Sequence, residues 1–369
     1  MKFSCYKSDL TEALVLVIRA VAVKPMTPIL AGIYLRAEGS SLELQGNNLT
    51  TGIITRIPVN VEESGAVVVS GKRLQEFVRN MPDDTITFTT EKNILKVESG
   101  GANVELLTMR AEDYPKVAMP ETENYFKIRT TVFREMIKRT VFAVGKDDSR
   151  PVFTGVCIEL RGEELRLVTT NASRLALIKE KLPESYGDCR FIVPANTLRG
   201  LMFRLEPQDV DNNYITVRYA TRYATFEFDN VFINARLIEG EFPKNYEKVI
   251  PKTFSTRAEM DTKELRKAVD FVALISKDTE YNATRFNFAD GGLEIISSNP
   301  QIGDATREIE AAIEGEEISI AFNVDYIAEV LKVLSTERVQ IGLNGGERPA
   351  LIREPENEQY IYIATPVHL

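Results

Sequence analysis

The sequence contains a single histidine, His368, only three cysteines and no tryptophan among its 369 residues. A Ser-His-Asp or Cys-His arrangement would have to use that one imidazole, which disfavours this type of nucleophilic catalysis. A zinc site is disfavoured for the same reason. The cysteines (Cys5, Cys157 and Cys189) are odd in number and lack CxxC spacing. This usage favours reduced thiols and a cytoplasmic location.

Several other signals are missing as well. There is no GxxxxGK[ST] loop and no GxGxxG after a strand. No window approaches the ~18 apolar residues of a membrane span, and the N-terminus lacks the apolar run of a signal peptide. We therefore expect no cofactor, no metal, no membrane contact and no catalytic activity. An enzyme site assembled across domains from Asp, Glu, Tyr and Lys stays open as an alternative.

What the sequence does contain is one pattern in three copies. A short alternating strand leads to an asparagine in each copy, at Asn48, Asn171 and Asn299. The first two of these strands start 123 residues apart and the next two 128 residues apart, at Leu42, Leu165 and Leu293. Each copy closes on Tyr114-Pro115, Phe242-Pro243 or Thr365-Pro366. Repeats this long are domains rather than solenoid turns, and we predict domains at 1–121, 122–250 and 251–369.

Each copy also carries two segments with apolar residues at i, i+3, i+4 and i+7, the pattern of a helix with one buried face. The predicted helices lie at 8–21, 72–81, 131–144, 196–205, 262–275 and 325–334. Ser8, Asp261 with Thr262, and Asn323 stand near three of the starts, where their side chains could accept hydrogen bonds from free backbone N–H groups. We predict that they cap these helices.

Between the helices the residues alternate with period two, which predicts strands at 85–89, 214–219, 224–228 and 359–363. Glycine-containing turns precede the repeated strand in all three copies, at Gly39, Gly162 and Gly291. Because strands outnumber helices in every copy, the predicted fold class is α+β, with three repeated domains of two helices and antiparallel sheets.

The charge is unevenly distributed along the chain. The six helical segments carry a net charge of +5 although the whole chain carries −9, so the remainder carries −14. If the helices share one side, that side is cationic and suits a polyanion. Ordinary mixed charges on exposed helix faces would give a similar total without any binding function.

With these features the chain resembles the bacterial β sliding clamp family, the processivity subunits of replicative DNA polymerases. The resemblance extends over the whole length and is most specific in five segments: Thr27-Pro28-Ile29-Leu30, Asn171-Ala172-Ser173-Arg174-Leu175-Ala176, Gly240-Glu241-Phe242-Pro243, Phe322-Asn323-Val324-Asp325-Tyr326 and Thr365-Pro366-Val367-His368-Leu369. It implies a head-to-tail homodimer of clamp domains that closes as a ring around duplex DNA. The ring would hold DNA without reading its sequence, since phosphate contacts carry no sequence information.

The resemblance also implies particular DNA contacts. It points to Lys24 and Arg73 in the first repeat and to Arg150 in the second. From charge and position we add Arg199 and Lys277. An interaction scaffold that binds peptides without encircling DNA is the main alternative.

A second implied activity is peptide docking. In this family a short, largely apolar motif from the polymerase, the clamp loader and repair proteins inserts between the second and third domains. Carried over by position, the pocket comprises Phe153, Thr170, Ala172, Ser173, Arg174, Leu175, Pro243, Val249, Ile363, Thr365, Pro366, Val367 and Leu369. This composition suits apolar anchors with a few orienting polar contacts. Ala172-Ser173 stands where the family frequently has Gly-His, so partner preference could differ.

Ring closure requires an interface between the first domain of one chain and the third domain of its partner. The resemblance places it at Val104, Leu106, Leu274 and Ile275. We expect an edge-to-edge join that continues one sheet from chain to chain and leaves no bare edge.

Overall fold

The computed structural model describes residues 1–205, 213–276 and 282–367. By contact density the chain divides into two compact units, Met1–Thr131 with Gly200–Leu237 and Val132–Arg199 with Ile238–Leu369. The middle sequence repeat contributes to both, because one of its strands pairs with the first repeat and another pairs with the third. The predicted boundaries at 121 and 250 therefore do not coincide with the limits of these units.

The described residues contain six α-helices, each at a segment where the apolar periodicity predicts one: α1 (Lys7–Val17), α2 (Gly71–Arg79), α3 (Thr130–Thr140), α4 (Ala195–Arg204), α5 (Thr262–Ser276) and α6 (Val324–Leu331). In the first unit α1 packs against α2, and in the second unit α5 packs against α6. The six-helix prediction is confirmed, with ends that differ by up to four residues.

Two of the four predicted capping side chains are confirmed, whereas the buried Thr262 hydroxyl has no hydrogen-bond partner among the described residues. Asn323 Oδ1 accepts from Asp325 N at 3.0 Å, and Asp261 Oδ1 accepts from Glu264 N at 2.8 Å. The Ser8 prediction is wrong, because α1 already begins at Lys7 and the Ser8 hydroxyl lies within the first turn. There the backbone N–H of Lys7 donates to the Asp84 carbonyl at 2.7 Å. A backbone carbonyl just before β7 thus takes the place of a capping side chain.

The described residues also contain 26 strands, all in antiparallel pairs: β1 (Lys2–Tyr6), β2 (Gly32–Glu38), β3 (Ser41–Asn47), β4 (Thr51–Pro58), β5 (Asn60–Glu63), β6 (Gly65–Ser70), β7 (Thr85–Glu91), β8 (Ile94–Ser99), β9 (Ala102–Met109), β10 (Tyr125–Arg129), β11 (Gly155–Arg161), β12 (Glu164–Thr170), β13 (Arg174–Lys181), β14 (Cys189–Pro194), β15 (Tyr214–Tyr219), β16 (Tyr223–Phe228), β17 (Val231–Arg236), β18 (Thr256–Asp261), β19 (Ala283–Ala289), β20 (Gly292–Asn299), β21 (Gly303–Ile309), β22 (Ala311–Gly315), β23 (Ile318–Asn323), β24 (Arg338–Leu343), β25 (Ala350–Arg353) and β26 (Tyr360–Ala364). The α+β prediction is thereby confirmed.

The first unit is organised by one sheet of thirteen strands, in the order β10-β15-β16-β17-β4-β3-β2-β6-β9-β8-β7-β1-β5. The sheet passes from the middle repeat to the first through β17 and β4, where Ala235 lies opposite Thr51. Its alternating inward residues meet the apolar faces of α1 and α2, with Phe3 stacked on Phe88 at 4.7 Å. A continuous sheet thus binds parts of two repeats into one unit.

The second unit contains two sheets. Nine strands run in the order β14-β11-β12-β13-β26-β25-β24-β18-β22, and four in the order β21-β20-β19-β23. The larger sheet passes from the middle repeat to the third through β13 and β26, where Leu175 lies opposite Ile363. These two side chains belong to one core cluster with Phe242 and Tyr246.

The repeat is visible in matching turns. The hairpins β2–β3, β11–β12 and β19–β20 turn through glycines with positive φ, at Gly39 (62°), Gly162 (60°) and Gly291 (94°). These angles strain any residue with a Cβ, which accounts for glycine at each turn. The repeated asparagine then closes the next turn, and its side chain accepts backbone N–H groups at Asn48, Asn171 and Asn299.

Candidate partner and nucleic-acid interfaces

The predicted peptide pocket is centred on the turn after β12. Asn171 Oδ1 accepts from the backbone N–H groups of Ser173 and Arg174, each at 3.0 Å. The hydroxyl of Thr170 donates to the Arg174 carbonyl at 2.6 Å and accepts from Ala172 N at 3.1 Å. Ala172 has a φ of 76°, a conformation that the four surrounding hydrogen bonds enforce. The turn therefore presents Ala172 and Ser173 to solvent on a rigid frame.

Arg174 lies beneath this turn, between two aromatic rings. Its guanidinium carbon is 4.3 Å from the centre of the Tyr326 ring and 5.6 Å from that of Phe142. One nitrogen donates to the Phe142 carbonyl at 2.7 Å and another to the Glu329 carboxylate. Burial disfavours the charge, but nearby Tyr362 and Glu329 raise the pKa of Arg174 above its ordinary value. The cation is fixed in place and stays charged.

The same cluster joins two elements of the second unit. The Asn171 amide donates to the Tyr326 hydroxyl at 3.1 Å, and the Tyr362 hydroxyl donates to the Tyr326 carbonyl at 2.9 Å. The start of α6 is thus bonded both to the pocket turn and to β26. Movement of α6 would change the shape of the pocket floor.

An apolar wall stands beside the turn. Phe153 is half-buried, and its ring meets Phe242 edge to face at 6.3 Å. The following segment leaves Pro243 exposed, and its carbonyl accepts from Arg190 at 3.0 Å. Val249 ends the 3-10 turn Tyr246–Val249 and is 50% exposed.

The C-terminal segment forms the other side. Thr365 N donates to the Ser173 carbonyl and Val367 N donates to the Ala321 carbonyl, both at 2.9 Å. Thr365, Pro366 and Val367 are half-buried, whereas Leu175 and Ile363 are core residues that support the pocket from below. Leu369 lies outside the described residues. Of the other predicted pocket members, Phe153, Leu175 and Ile363 share one apolar cluster, and Thr365 is bonded to Ser173 of the turn.

A buried ion pair anchors the same unit nearby. Arg139 on α3 donates to the Glu354 carboxylate at 2.8 Å, and both side chains are almost wholly buried. Burial would raise the pKa of Glu354, but hydrogen bonds from Arg139, the Ser335 backbone and Asn357 lower it to about 2. Arg139 also lies over the Tyr360 ring at 5.4 Å. The pair ties the helix before the pocket to the strand connection behind it.

The predicted DNA-contacting residues differ in availability. Lys24 and Arg150 are exposed, and the Arg73 side chain is 67% exposed although it pairs with Glu76 at 3.2 Å. Arg199 is half-buried and donates to the Val141 carbonyl at 3.0 Å, and burial lowers its pKa. Lys277 lies outside the described residues. Lys24, Arg73 and Arg150 are therefore better placed than Arg199 to meet a polyanion.

The residues of the predicted dimer interface lie on one strand and one helix. Val104 and Leu106 lie on β9, which over Ala102–Leu107 pairs only with β8 among the described strands. Leu274 and Ile275 lie on α5 and cannot themselves offer a strand edge. The open edge beside that helix belongs to β21, the outer strand of the four-stranded sheet. An edge-to-edge join would therefore use β21, with Leu274 packing beside it.

Sequence reasoning missed several residues at these surfaces. Leu107 is 75% exposed and Phe271 is 53% exposed, so each presents more apolar surface than its predicted neighbour Leu106 or Ile275. Phe271 stands three residues before Leu274 on the same helix face, a spacing that could have indicated it. The aromatic partners of Arg174 could not be found in this way, because Phe142 and Tyr326 are distant in sequence.

The described residues contain no group of three or more His, Cys, Asp or Glu side chains placed to hold a metal ion. None of the described helices is both long enough and apolar enough to cross a bilayer.

Comparison with known protein families matches all three repeats. The N-terminal, central and C-terminal domain models of the DNA polymerase III beta subunit match residues 1–119, 127–244 and 247–368, respectively. These matches place three consecutive domains of one family along the chain.

Individual relatives agree over the full length. The beta sliding clamp of Bacillus subtilis is 30% identical over 382 residues, covering 100% of this chain and 99% of that protein. The crystal structure of the B. subtilis sliding clamp has a TM-score of 0.95 at 29% identity and covers 100% and 99% of the two chains. A clamp from Pseudomonas aeruginosa, solved bound to griselimycin, has a TM-score of 0.94 at 28% identity with complete coverage of both chains. The chain therefore belongs to the beta sliding clamp family, the beta subunits of DNA polymerase III.

Proposed function

We propose that two copies of this chain join head to tail into a ring that encircles duplex DNA and tethers a DNA polymerase to it. The observation that carries this proposal is the full-length match to sliding clamps over three consecutive domains. The chain would act in the cytoplasm as a non-catalytic processivity factor. Its domains would correspond to the three repeats, with boundaries near residues 121 and 250.

The geometry of the repeats is compatible with a ring. Two copies would bring twelve helices together, and at ~10 Å across each they would give a lining of about 120 Å and a bore of about 38 Å. A duplex passes through such a bore with water around it. The excess positive charge of the helical segments would then face the phosphates, while the acidic remainder would repel DNA elsewhere.

Retention on DNA would be topological rather than adhesive. Lys24, Arg73 and Arg150 are exposed and would supply weak contacts to phosphate. Such contacts have no preferred register along the duplex, so sliding would meet low barriers.

The pocket in the second unit would receive the clamp-binding segments of the polymerase, the clamp loader and repair proteins. Phe153, Val249 and Pro366 offer apolar contact area, while the turn at Ala172-Ser173 offers backbone groups. Arg174 would hold the floor rigid through its stacking and its bond to Glu329. Pre-organisation of this kind lowers the entropy cost of binding a flexible peptide.

The dimer is tested by mass in solution. We expect sedimentation to give twice the chain mass, and Phe271→Asp with Leu274→Asp to give a folded monomer, because both exposed side chains would bring charge into an apolar contact. The matched control is Val249→Asp, because Val249 is also exposed, at 50%, but lies outside the proposed dimer interface. An intact dimer in the double variant would contradict the proposed interface.

The ring itself is tested by DNA topology. After loading by a clamp loader, the protein should co-elute with nicked circular DNA in gel filtration and be lost from the same DNA in linear form. The monomeric double variant should co-elute with neither the circular nor the linear DNA. Equal retention on linear DNA would contradict encirclement and favour an ordinary DNA-binding or scaffold protein.

A further inference from the structure

A cavity of about 560 Å³ in the first unit has no assigned function. It lies over β2, β3 and β4, and its wall includes Tyr34, Arg36, Glu43 and Gln45. The segment Ala111–Val117 closes one side of it, with the Tyr114 ring 5.7 Å from Tyr34. None of these residues belongs to the DNA, peptide or dimer surfaces described above.

The internal repeat shows what fills the matching place in the second unit. Arg36 lies opposite Glu43, and 123 residues later Glu159 lies opposite Arg166. There the hydroxyl of buried Tyr246 donates to Glu159 at 2.6 Å and accepts from Arg166 at 3.4 Å. A tyrosine from the same chain thus occupies the second-unit counterpart of the cavity.

A second substitution keeps the first-unit space open. Ala66 lies opposite Arg36 as Arg190 lies opposite Glu159. The Arg190 guanidinium covers the Tyr246 ring at 5.7 Å. The described part of the first unit has only a methyl group at that position. Tyr34, which replaces Cys157, lies against Tyr114 as Tyr246 lies against Phe242, and the cavity remains open beside it.

The charges around the cavity are reversed relative to the second unit. Glu247 follows Tyr246 and forms ion pairs with Arg161, at 3.2 Å, and with Arg166. The three second-unit positions Glu159, Arg161 and Arg166 correspond to Arg36, Glu38 and Glu43. Glu38 and Glu43 each pair with one arginine, as Arg161 and Arg166 each pair with one glutamate besides Glu247. A base after the ligand tyrosine would therefore be attracted to this place, and an acid would be repelled.

We propose that this cavity binds a partner protein segment in which a tyrosine is followed by lysine or arginine. A phenol both donates and accepts hydrogen bonds. It can therefore donate to Glu43 and accept from Arg36, although the acid and the base have exchanged strands relative to Glu159 and Arg166. Glu43 Oε2 accepts two hydrogen bonds from Arg56, whereas Oε1 accepts one from Gln45 and retains a lone pair for the ligand. Tyr34 and Tyr114 supply an aromatic wall for the ring.

The test uses two capped pentapeptides titrated into the full-length protein by calorimetry. One has the sequence Asn-Tyr-Glu-Lys-Val, which copies residues 245–249, and the other replaces its Glu by Lys. We expect saturable binding of the Tyr-Lys peptide and about fivefold weaker binding of the Tyr-Glu peptide. Replacing the tyrosine by phenylalanine should weaken binding by about fivefold through the lost hydroxyl bonds.

Variants locate the binding site. Arg36→Ala with Glu43→Gln removes both groups that would bond to the phenol and should weaken binding at least tenfold, whereas the same changes in the exposed pair Arg338 and Glu259 should leave it unchanged. Glu38→Arg should reduce the preference for the Tyr-Lys peptide. Binding that survives Arg36→Ala with Glu43→Gln, equal affinity for the two peptides, or no saturation would each overturn the proposal. The DNA-topology test does not involve this cavity, so the two proposals can fail separately.

Discussion

In each unit one sheet passes from the middle repeat to a neighbouring repeat, through β17 and β4 in the first unit and through β13 and β26 in the second. We call these pairings the two junctions; their backbones are alike, but their side chains differ. In the first unit Asn48 closes the turn before β4, and Arg236 N on β17 donates to the Thr50 carbonyl at 2.8 Å. In the second unit Asn171 closes the turn before β13, and Thr365 N donates to the Ser173 carbonyl at 2.9 Å. The backbone pattern is therefore repeated almost without change.

The side chains at the two junctions have diverged. Where the second unit has Arg174 and Leu175, the first has Thr51 and Gly52. A Cβ on Gly52 would lie 2.5 Å from Val117, so a side chain of the first unit already fills that space. The repeat thus preserves the hydrogen bonds that build the fold, while the side chains at the two junctions have been exchanged.

Anchoring also differs between the units. The position of Arg139 on α3 corresponds to Leu16 on α1, and both are buried. The first unit therefore fills this place with an apolar side chain, and the second fills it with a buried cation paired to Glu354. Burying a charge is costly unless its partner is present, so the second unit depends on both members of the pair.

The largest expected effect comes from breaking this pair. Glu354→Gln should lower the free energy of unfolding by about 2–3 kcal/mol, because Arg139 loses its buried carboxylate partner and keeps only Glu135, 2.8 Å away on the same helix. The measurement is urea denaturation. Glu163→Gln is the control, since its pair with Lys181 is exposed and should contribute at most about 1 kcal/mol. Equal losses in the two variants would show that burial does not distinguish these ion pairs.

The same pair should make the second unit sensitive to acid. The pKa of Glu354 is about 2 in the folded protein against an ordinary value of 4.5, so its stabilising effect is complete above about pH 4.5 and is lost as the pH falls towards 2. The difference in unfolding free energy between the unmodified protein and Glu354→Gln should shrink over that range. A difference that stays constant down to pH 2.5 would contradict the assigned pKa shift.

Arg174→Ala sharpens the comparison of the two junctions. It removes the stacked cation and leaves the Glu329 carboxylate without its partner, so affinity for a clamp-binding peptide should fall by about 2 kcal/mol, or roughly thirtyfold. Thr51→Ala, the matched change in the first unit, should leave affinity unchanged. Fluorescence anisotropy of a labelled peptide measures both. If the two variants lost affinity equally, the pocket would not be confined to the second unit.

The smallest effect concerns the cations. Arg73→Ala should lower the slope of log affinity for DNA against log salt by about 1, because one phosphate contact is lost. Arg199→Ala should change the slope less, since this side chain already donates to the Val141 carbonyl. Nitrocellulose filter binding at several salt concentrations gives both slopes. A larger change for Arg199 would reverse the assignment of the two residues.

Local features were largely predictable from the sequence. Helix periodicity located α1–α6, and the glycine turns located the repeated hairpins, because these depend on residues close together in the chain. The Ser8 prediction failed because a backbone bond from a distant segment, at Asp84, starts the helix instead.

Long-range features were not predictable in this way. The aromatic rings around Arg174 come from Phe142 and Tyr326, and its carboxylate comes from Glu329, so no local pattern joins them. The division into two units depends on the pairings of β4 with β17 and of β13 with β26. Edge pairing between repeats leaves no period in the sequence.

The most direct test of encirclement blocks the ends of the DNA. The loaded protein is placed on circular DNA, which is then cut so that its ends are either free or capped by bound streptavidin. The proposed ring predicts rapid loss from DNA with free ends and retention on DNA with capped ends, at the same salt concentration. Equal retention in both cases would contradict a ring that holds DNA by topology.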